Sequence, residues 1–489
     1  MGQICSVIII IVQISYKNKF FDVYIKLLVL SDKKRKGEIV QNMTYHNDIK
    51  QRLDDIIASI IADKDKYVKN PEKDFIRNRK LPLDKTIKLT LSMKGGSLNK
   101  ELYEFFGRDP EAIVTSSAFI QQRDKLMPEL FEYLFREFTT SIDNLETYRG
   151  YRLFAVDGSD INVAYDKDAE TYMKSDRINK DGTKQKGYNQ IHLNAIYDVQ
   201  NKIYVDAQLQ PKPKLNERRA FVDMLNSMQL NEKTIFICDR GYPCWNLFAN
   251  IKHKDNADYL IRVKNTEMRL VKNLPMEELD IDVSTTISTK TSDYGKEGYT
   301  FISIKKNKMT NREYKGKTNF VEWDFGTHET LNIRIVRFKI TDTTYETIFT
   351  SLPREQFPVE EIKKLYAMRW GIETSFRELK YVIGLSALHS KKDAFVKQEI
   401  FAKLLMYNFS ECIIAQEVIE QDENRKHSYQ VNYTMAMKIC LDFFRGLVDP
   451  DNVYKLISKY IEALRPNRKD KRKSIPAKMF IWFVYRVPA

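Results

Sequence analysis

The chain has 489 residues, more than one compact core usually holds, so two to four domains are expected. Its 43% hydrophobic and 12% aromatic residues exclude a disordered chain. Lys+Arg 80 against Asp+Glu 66 leaves a formal charge of +14, which suits a polyanionic partner, nucleic acid before an anionic membrane surface. The cysteines (Cys5, Cys238, Cys244, Cys412, Cys440) are scattered without a CxxC pair, and the histidines show no metal spacing. The pattern reads as free thiols in a reducing cytoplasm rather than a zinc site.

Residues 1–42 stand apart. Their first six residues, MGQICS, match a myristoylation pattern with Cys5 as a second lipid site. The apolar run Val7–Ile14 is too short to span a bilayer, and no cleavage site follows Tyr24–Leu30. The stretch reads better as a mis-called or non-native extension ahead of Met43, and no membrane partner is expected.

Residues 43–149 are expected to be helical and basic. Lys50–Ile61 carries apolar residues at helical spacing, and Phe75–Leu83 is a basic extended segment. Leu98–Phe106 and Ser116–Leu126, separated by Gly107–Pro110, predict two short helices, the second capped by Ser116 or Ser117. Gln121, Gln122 and Arg123 near its start suggest a helix-turn-helix reading a major groove; a plain three-helix bundle accounts for the pattern equally well.

From 150 to 265 the order β-β-β-α-β-α-β is predicted. A strand at Arg152–Val156 runs into Asp157, and an alternating pair, Ile191–Tyr197 and Ile203–Leu209, reads as a hairpin. A helix at Asn216–Met228 precedes a strand, Thr234–Cys238, that runs into Asp239. Another helix and a strand at Tyr259–Val263 follow. An acid at a strand end is an ordinary turn former or cap. Two on adjacent strands would face each other, and carboxylates that close stay ionised together only around a cation. Hard oxygen ligands select Mg²⁺ or Mn²⁺. Residues 266–345 are rich in Thr, Val, Ile and Tyr, with alternating runs at Tyr299–Lys305 and Leu331–Ile340, and read as β-structure.

Leu365–Leu385 predicts one helix. On it Tyr366, Arg369, Glu373, Arg377 and Lys380 fall within roughly 80° of arc, beside an apolar arc of Leu365, Met368, Ile372, Phe376, Leu379 and Ile383. Alone, this face fits either a solvated i±4 pairing of Glu373 with Arg369 and Arg377, or Glu373 on a metal with its neighbours on phosphates. Further helices are expected at Ala394–Val418, Tyr433–Arg445 and Val453–Leu464, ahead of a basic cluster, Arg465–Lys473.

The spacing Tyr366-x2-Arg369-x3-Glu373-x6-Lys380 resembles, position for position, the Tyr–Arg–Glu–Lys signature of insertion sequence 4 family transposases. Phe154–Asp157 and Ile237–Gly241 resemble the family's two aspartate motifs, and the likeness runs over roughly residues 75–489. It implies a multi-domain α/β protein. An RNase H-like mixed-sheet catalytic domain (150–265 and 346–390) would be interrupted by a β-rich insertion (266–345), with helical N- and C-terminal regions (43–149 and 391–489). The last would serve DNA contact and dimerisation.

The implied catalytic and metal-binding triad is Asp157, Asp239 and Glu373, holding two Mg²⁺ or Mn²⁺ ions. Tyr366, Arg369 and Lys380 are the implied DNA contacts, with Trp370, Arg377 and Arg240 as further candidates. Arg240-Gly241-Tyr242-Pro243 departs from the family, whose better-studied members continue there with acidic or polar residues. The implied function is metal-dependent cut-and-paste transposition of a bacterial insertion sequence. Ends would be cleaved by hydrolysis and joined to target double-stranded DNA by the 3′-OH, in a homodimer at the nucleoid of the cytoplasm. The rivals are a catalytically inactive DNA-binding descendant, another RNase H-like nuclease such as a junction resolvase, and a recombinase using Tyr366 as nucleophile.

Overall fold

The computed structural model describes residues 38–464 except 78, 176, 177, 179–181, 266, 267, 305–320, 418 and 420–426. The features expected within residues 1–37 and the basic cluster at 465–473 lie outside the described residues. Helix α1 (Glu38–Ala62) contains the expected Lys50–Ile61 and runs across the expected boundary at 42/43. Ile49, Leu53, Ile57 and Ile60 line its buried stripe, the i, i+4, i+8, i+11 pattern of one helix face. Four short helices follow: α2 (Leu83–Ser92), α3 (Leu98–Phe105), α4 (Ser116–Asp124) and α5 (Glu129–Thr140). Thr115, not Ser116 or Ser117, caps α4, its side-chain oxygen accepting from the Ala118 N–H.

Strand β1 (Arg152–Val163) is longer than expected and carries Asp157 in its middle rather than at its end. The reason is its antiparallel neighbour β3 (Tyr188–Asp198), which supplies partners from Phe154↔Asp198 to Val163↔Asn189. The turn-forming letters Asp157-Gly158-Ser159-Asp160 are thereby overridden by pairing. A two-residue strand, β2 (Tyr172–Met173), flanks β3. The expected hairpin is β3 with β4 (Ile203–Pro211). Then come α6 (Glu217–Ser227), capped by Asn216, β5 (Thr234–Cys238), α7 (Trp245–Lys252) and β6 (Ala257–Val263). β5 lies parallel to both β1 and β6, so the strands stand β4-β3-β1-β5-β6, the mixed sheet expected of an RNase H-like domain.

The stretch 266–345 does not build a separate layer. Strands β7 (Leu279–Ser288), β8 (Tyr299–Phe301), β9 (His328–Thr341) and β10 (Thr344–Thr350) prolong the same sheet in the order β6-β10-β9-β7-β8. β10 pairs antiparallel with β6, Thr347 opposite Val263, which covers what would otherwise be an open edge. The expected boundary at 345/346 falls inside β10.

Beyond the sheet lie α8 (Val359–Met368), α9 (Trp370–Tyr381), α10 (Asp393–Ile414), α11 (Tyr433–Phe444) and α12 (Pro450–Lys459). The expected helix to Leu464 stops at Lys459, because Ile461–Ala463 turns into a strand paired with Tyr429–Val431. The sheet has a core on each face. Phe154, Val156 and Phe236 pack with α6 and α7 on one face. On the other, Leu153 and Ala155 join α1, α5 and α8–α11 in a single cluster. The N- and C-terminal helical regions therefore share one core. α10 is buried along nearly its whole length, its Phe401 and Phe409 set against Phe135 and Phe138 of α5 at ring separations of 5.9 and 6.2 Å. Cys238, Cys412 and Cys440 are buried and, like Cys244, unbridged. Among the described residues no helix is long and apolar enough to cross a membrane.

Candidate active site

The parallel register of β1 and β5 sets Val156 opposite Cys238. The residues after them, Asp157 and Asp239, are therefore neighbours. Side chains alternate along β1, and Leu153 and Ala155 belong to the core under α8 and α9. Asp157 continues that face and so meets the segment carrying Glu373. Gly158 and Asp160 face the other way, toward α6.

The expected single helix Leu365–Leu385 is two helices that meet at Arg369. The Arg369 N–H bonds the Tyr366 carbonyl (3.2 Å) and the Ile372 N–H bonds the Arg369 carbonyl (3.2 Å), both over three residues. Such a turn advances each residue by about 120° instead of 100°, a small local shift that leaves Arg369 beside both Tyr366 and Glu373. Tyr366 turns into the core at 4% exposed, and burial pushes its hydroxyl up to about 12. Arg369 turns in among the acids at 5% exposed. Both side chains are thus buried in the free chain, and a buried, protonated Tyr366 fits no nucleophile.

Arg369 joins two of the three acids. Its Nη2 lies 2.8 Å from Glu373 Oε1 and its Nη1 3.7 Å from Asp157 Oδ2. Burial works against its charge, but Tyr366, Glu373 and Asp157 together hold the guanidinium above its ordinary pKa. Asp157 is pushed up to about 6, chiefly by burial, against the pull of the Gly158 N–H and Arg369 and with a further push from Asp239 and Glu373. The Gly158 N–H donates to Asp157 Oδ1 (2.9 Å) and the Gly241 N–H to Asp239 Oδ1 (2.6 Å). Among the described residues no three His, Cys, Asp or Glu side chains are gathered tightly enough to hold a metal ion. The donor set still fits one: three carboxylates offer hard oxygens only, and the two neighbours of Asp157 make its ionised form want a cation.

Lys380 also points inward, its Nζ donating to the Asp160 carbonyl (2.8 Å). Trp370 is 41% exposed, with the Arg369 guanidinium 5.0 Å from its ring centre. Arg377 and Arg240 are exposed, one turn after Glu373 and one residue after Asp239. Arg123, expected on a groove-reading helix, is 2% exposed and bonded to Gln398, Glu399 and the Phe395 carbonyl of α10, so it ties α4 inward.

Sequence reasoning missed a polar cluster behind β1. His192 Nδ1 lies 2.6 Å from Asp160 Oδ1 and its Nε2 3.0 Å from Glu217 Oε1, and Lys212 Nζ donates to Asp160 Oδ1 (2.7 Å). Burial works against charge on His192, but its two carboxylate partners hold the imidazole above its ordinary pKa. Despite its own burial, Asp160 is drawn down to about 2 by His192 and Lys212. The available signal is Asp160 itself, a second acid three residues after Asp157.

Residues 148–409 match the family described as Transposase DDE domain. The chain belongs to that family. The match runs from just before β1 into α10 and takes in Asp157, Asp239 and Glu373. The transposase for insertion sequence element IS421 of Escherichia coli is 40% identical over 58 residues, 12% of this chain and 16% of that protein. Transposase InsG for insertion sequence element IS4 of Escherichia coli strain K12 is 37% identical over 73 residues, 14% of this chain and 16% of that protein. The aligned segment thus spans only 16% of the length of either relative. A cryo-EM structure of the piggyBac transposase synaptic complex with hairpin DNA aligns with 88% of this chain and 78% of that one, at TM-score 0.40 and 8% identity. In this Transposase DDE domain the motif acids stand at the junction of the central strands and α9.

Proposed function

We propose that this chain is the transposase of a bacterial insertion sequence, cutting the ends of its element and joining them to target DNA. The observation that carries the reading is the β1–β5 register, which makes neighbours of Asp157 and Asp239, with Glu373 tied to Asp157 through Arg369. Asp157, Asp239 and Glu373 would hold divalent metal, two Mg²⁺ or Mn²⁺ ions. Metal bound there would lower the pKa of the attacking water or 3′-OH and stabilise the leaving oxygen of an in-line displacement at phosphorus.

The protein's own residues aim the carboxylates. The Gly158 and Gly241 N–H groups orient Asp157 and Asp239, and Arg369 keeps Glu373 and Asp157 together until the charge they await arrives. Trp370, Arg377 and Arg240, exposed beside the triad acids, would meet the DNA, Trp370 by stacking and the arginines at phosphates. The net charge of +14 suits that partner. The active complex would be a homodimer on double-stranded DNA in the bacterial cytoplasm, at the nucleoid.

The deciding experiment is an Mg²⁺-dependent nicking assay on the inverted repeats that flank the gene. Cleavage at the repeat ends is expected. Binding without cleavage in either metal would leave the chain a DNA-binding descendant.

A further inference from the structure

α9 is fastened to β1 at two places. One is Arg369, between Asp157 and Glu373. The other is Lys380, seven residues after Glu373, whose Nζ donates to the carbonyl of Asp160, three residues after Asp157. The segment that carries Glu373 is thus held to β1 on both sides of that residue, at Arg369 before it and at Lys380 after it.

The carbonyl is itself anchored. Asp160's carboxylate is held by Lys212 and His192, and His192 in turn by Glu217 at the start of α6. β1 lies directly on the imidazole, since a Cβ at Gly158 would stand 2.0 Å from His192 Nε2 and 3.1 Å from Glu217 Oε1. The Lys380 ammonium is partly buried and directed at this backbone rather than offered to solvent.

We infer that Lys380 is a positioning residue: braced by Asp160, His192 and Glu217, it sets the register of Glu373 against Asp157. The inference rests on the reading of those two acids as metal holders. Amide hydrogen exchange on the free protein tests the brace without metal or DNA. Lys380→Met should speed exchange across 370–381 and 157–163. Lys380→Arg, which can still donate to the carbonyl, should restore protection. If Lys380→Met does not fold, Lys380→Gln in the same measurement decides.

Unchanged exchange overturns the inference. A separate arm reads the metal: iron(II) with ascorbate should cut the wild-type backbone near 157 and 373, and Asp157→Ala should abolish the cuts. The iron needed for half-maximal cutting should rise about 10-fold or more in Lys380→Met, as for other outer-shell partners. No cutting in wild type overturns the metal reading, while the exchange result still decides the brace.

Discussion

Val156 and Cys238 face each other across the parallel β1–β5 pair, and the chain places an aspartate directly after each. If Asp157, Asp239 and Glu373 form one metal site, losing any one should cost more than losing an outer-shell partner. Asp157→Ala, Asp239→Ala and Glu373→Ala are each expected to lower Mg²⁺-dependent end cleavage by more than about 100-fold, with end binding intact. Cleavage by any of the three at wild-type rate would remove that residue from the site.

Arg369 stands among these acids as their counter-ion, which gives a prediction opposite to that of a phosphate contact. Arg369→Met leaves Glu373 and Asp157 facing each other and should destabilise the metal-free protein by about 2 kcal/mol. Mg²⁺ should recover part of the loss, since it binds only the folded acids. Thermal unfolding with and without Mg²⁺ measures both. A variant as stable as wild type, but with a shallower salt slope for DNA, would return Arg369 to the DNA.

How much of this was legible beforehand differed by level. Thr234–Cys238 was found to the residue, and the β3–β4 hairpin and α6 nearly so, because each is a local pattern bounded by turn or cap residues. The triad was legible through motif spacing. The length of β1 was not, since Asp157-Gly158-Ser159-Asp160 continues as strand only because β3 pairs with it. Nor was the break at Arg369, which lies in a sequence with neither Pro nor Gly before Gly371. The inward turns of Arg123 and Lys380 depend on partners 276 and 220 positions away, which no local pattern reports.

Glu411 should make stability fall as pH rises. It is buried in α10, where the nearby Tyr407 hydroxyl donates to Glu378 (3.1 Å). Burial, with a further push from Glu378, raises Glu411 to about 8 against the pull of Lys202 and the Tyr407 hydroxyl. A raised carboxyl holds its proton in the folded state and loses it in the unfolded one. Its stabilising contribution is thus complete below the ordinary glutamate range and disappears as pH climbs to about 8. The slope within that window approaches ~1.4 kcal/mol per pH unit for a single group. Denaturant melts of Glu411→Gln should be flatter between pH 5 and 8, and the variant more stable than wild type at the upper end. Parallel curves for the two proteins would show that the carboxyl finds a partner.

Arg123 and Glu399 give the same argument with the opposite sign. Arg123 Nη1 lies 2.9 Å from Glu399 Oε1, and Glu399 also accepts the His389 N–H (2.9 Å), joining α4, α10 and the loop after α9. Burial works against both charges and lowers Arg123; Glu399 is nonetheless drawn down to about 2, by Arg123 first and His389 next. Its contribution is present above the ordinary glutamate range and is lost as pH falls toward 2. Arg123→Met would leave a buried carboxylate without its guanidinium and should cost about 3–5 kcal/mol near neutral pH. Adding Glu399→Gln should recover much of that, because the orphaned charge goes with it. Neither change should alter the salt dependence of DNA binding, since Arg123 reaches α10 rather than a groove. A weaker salt slope in Arg123→Met at unchanged stability would restore α4 as the reading helix.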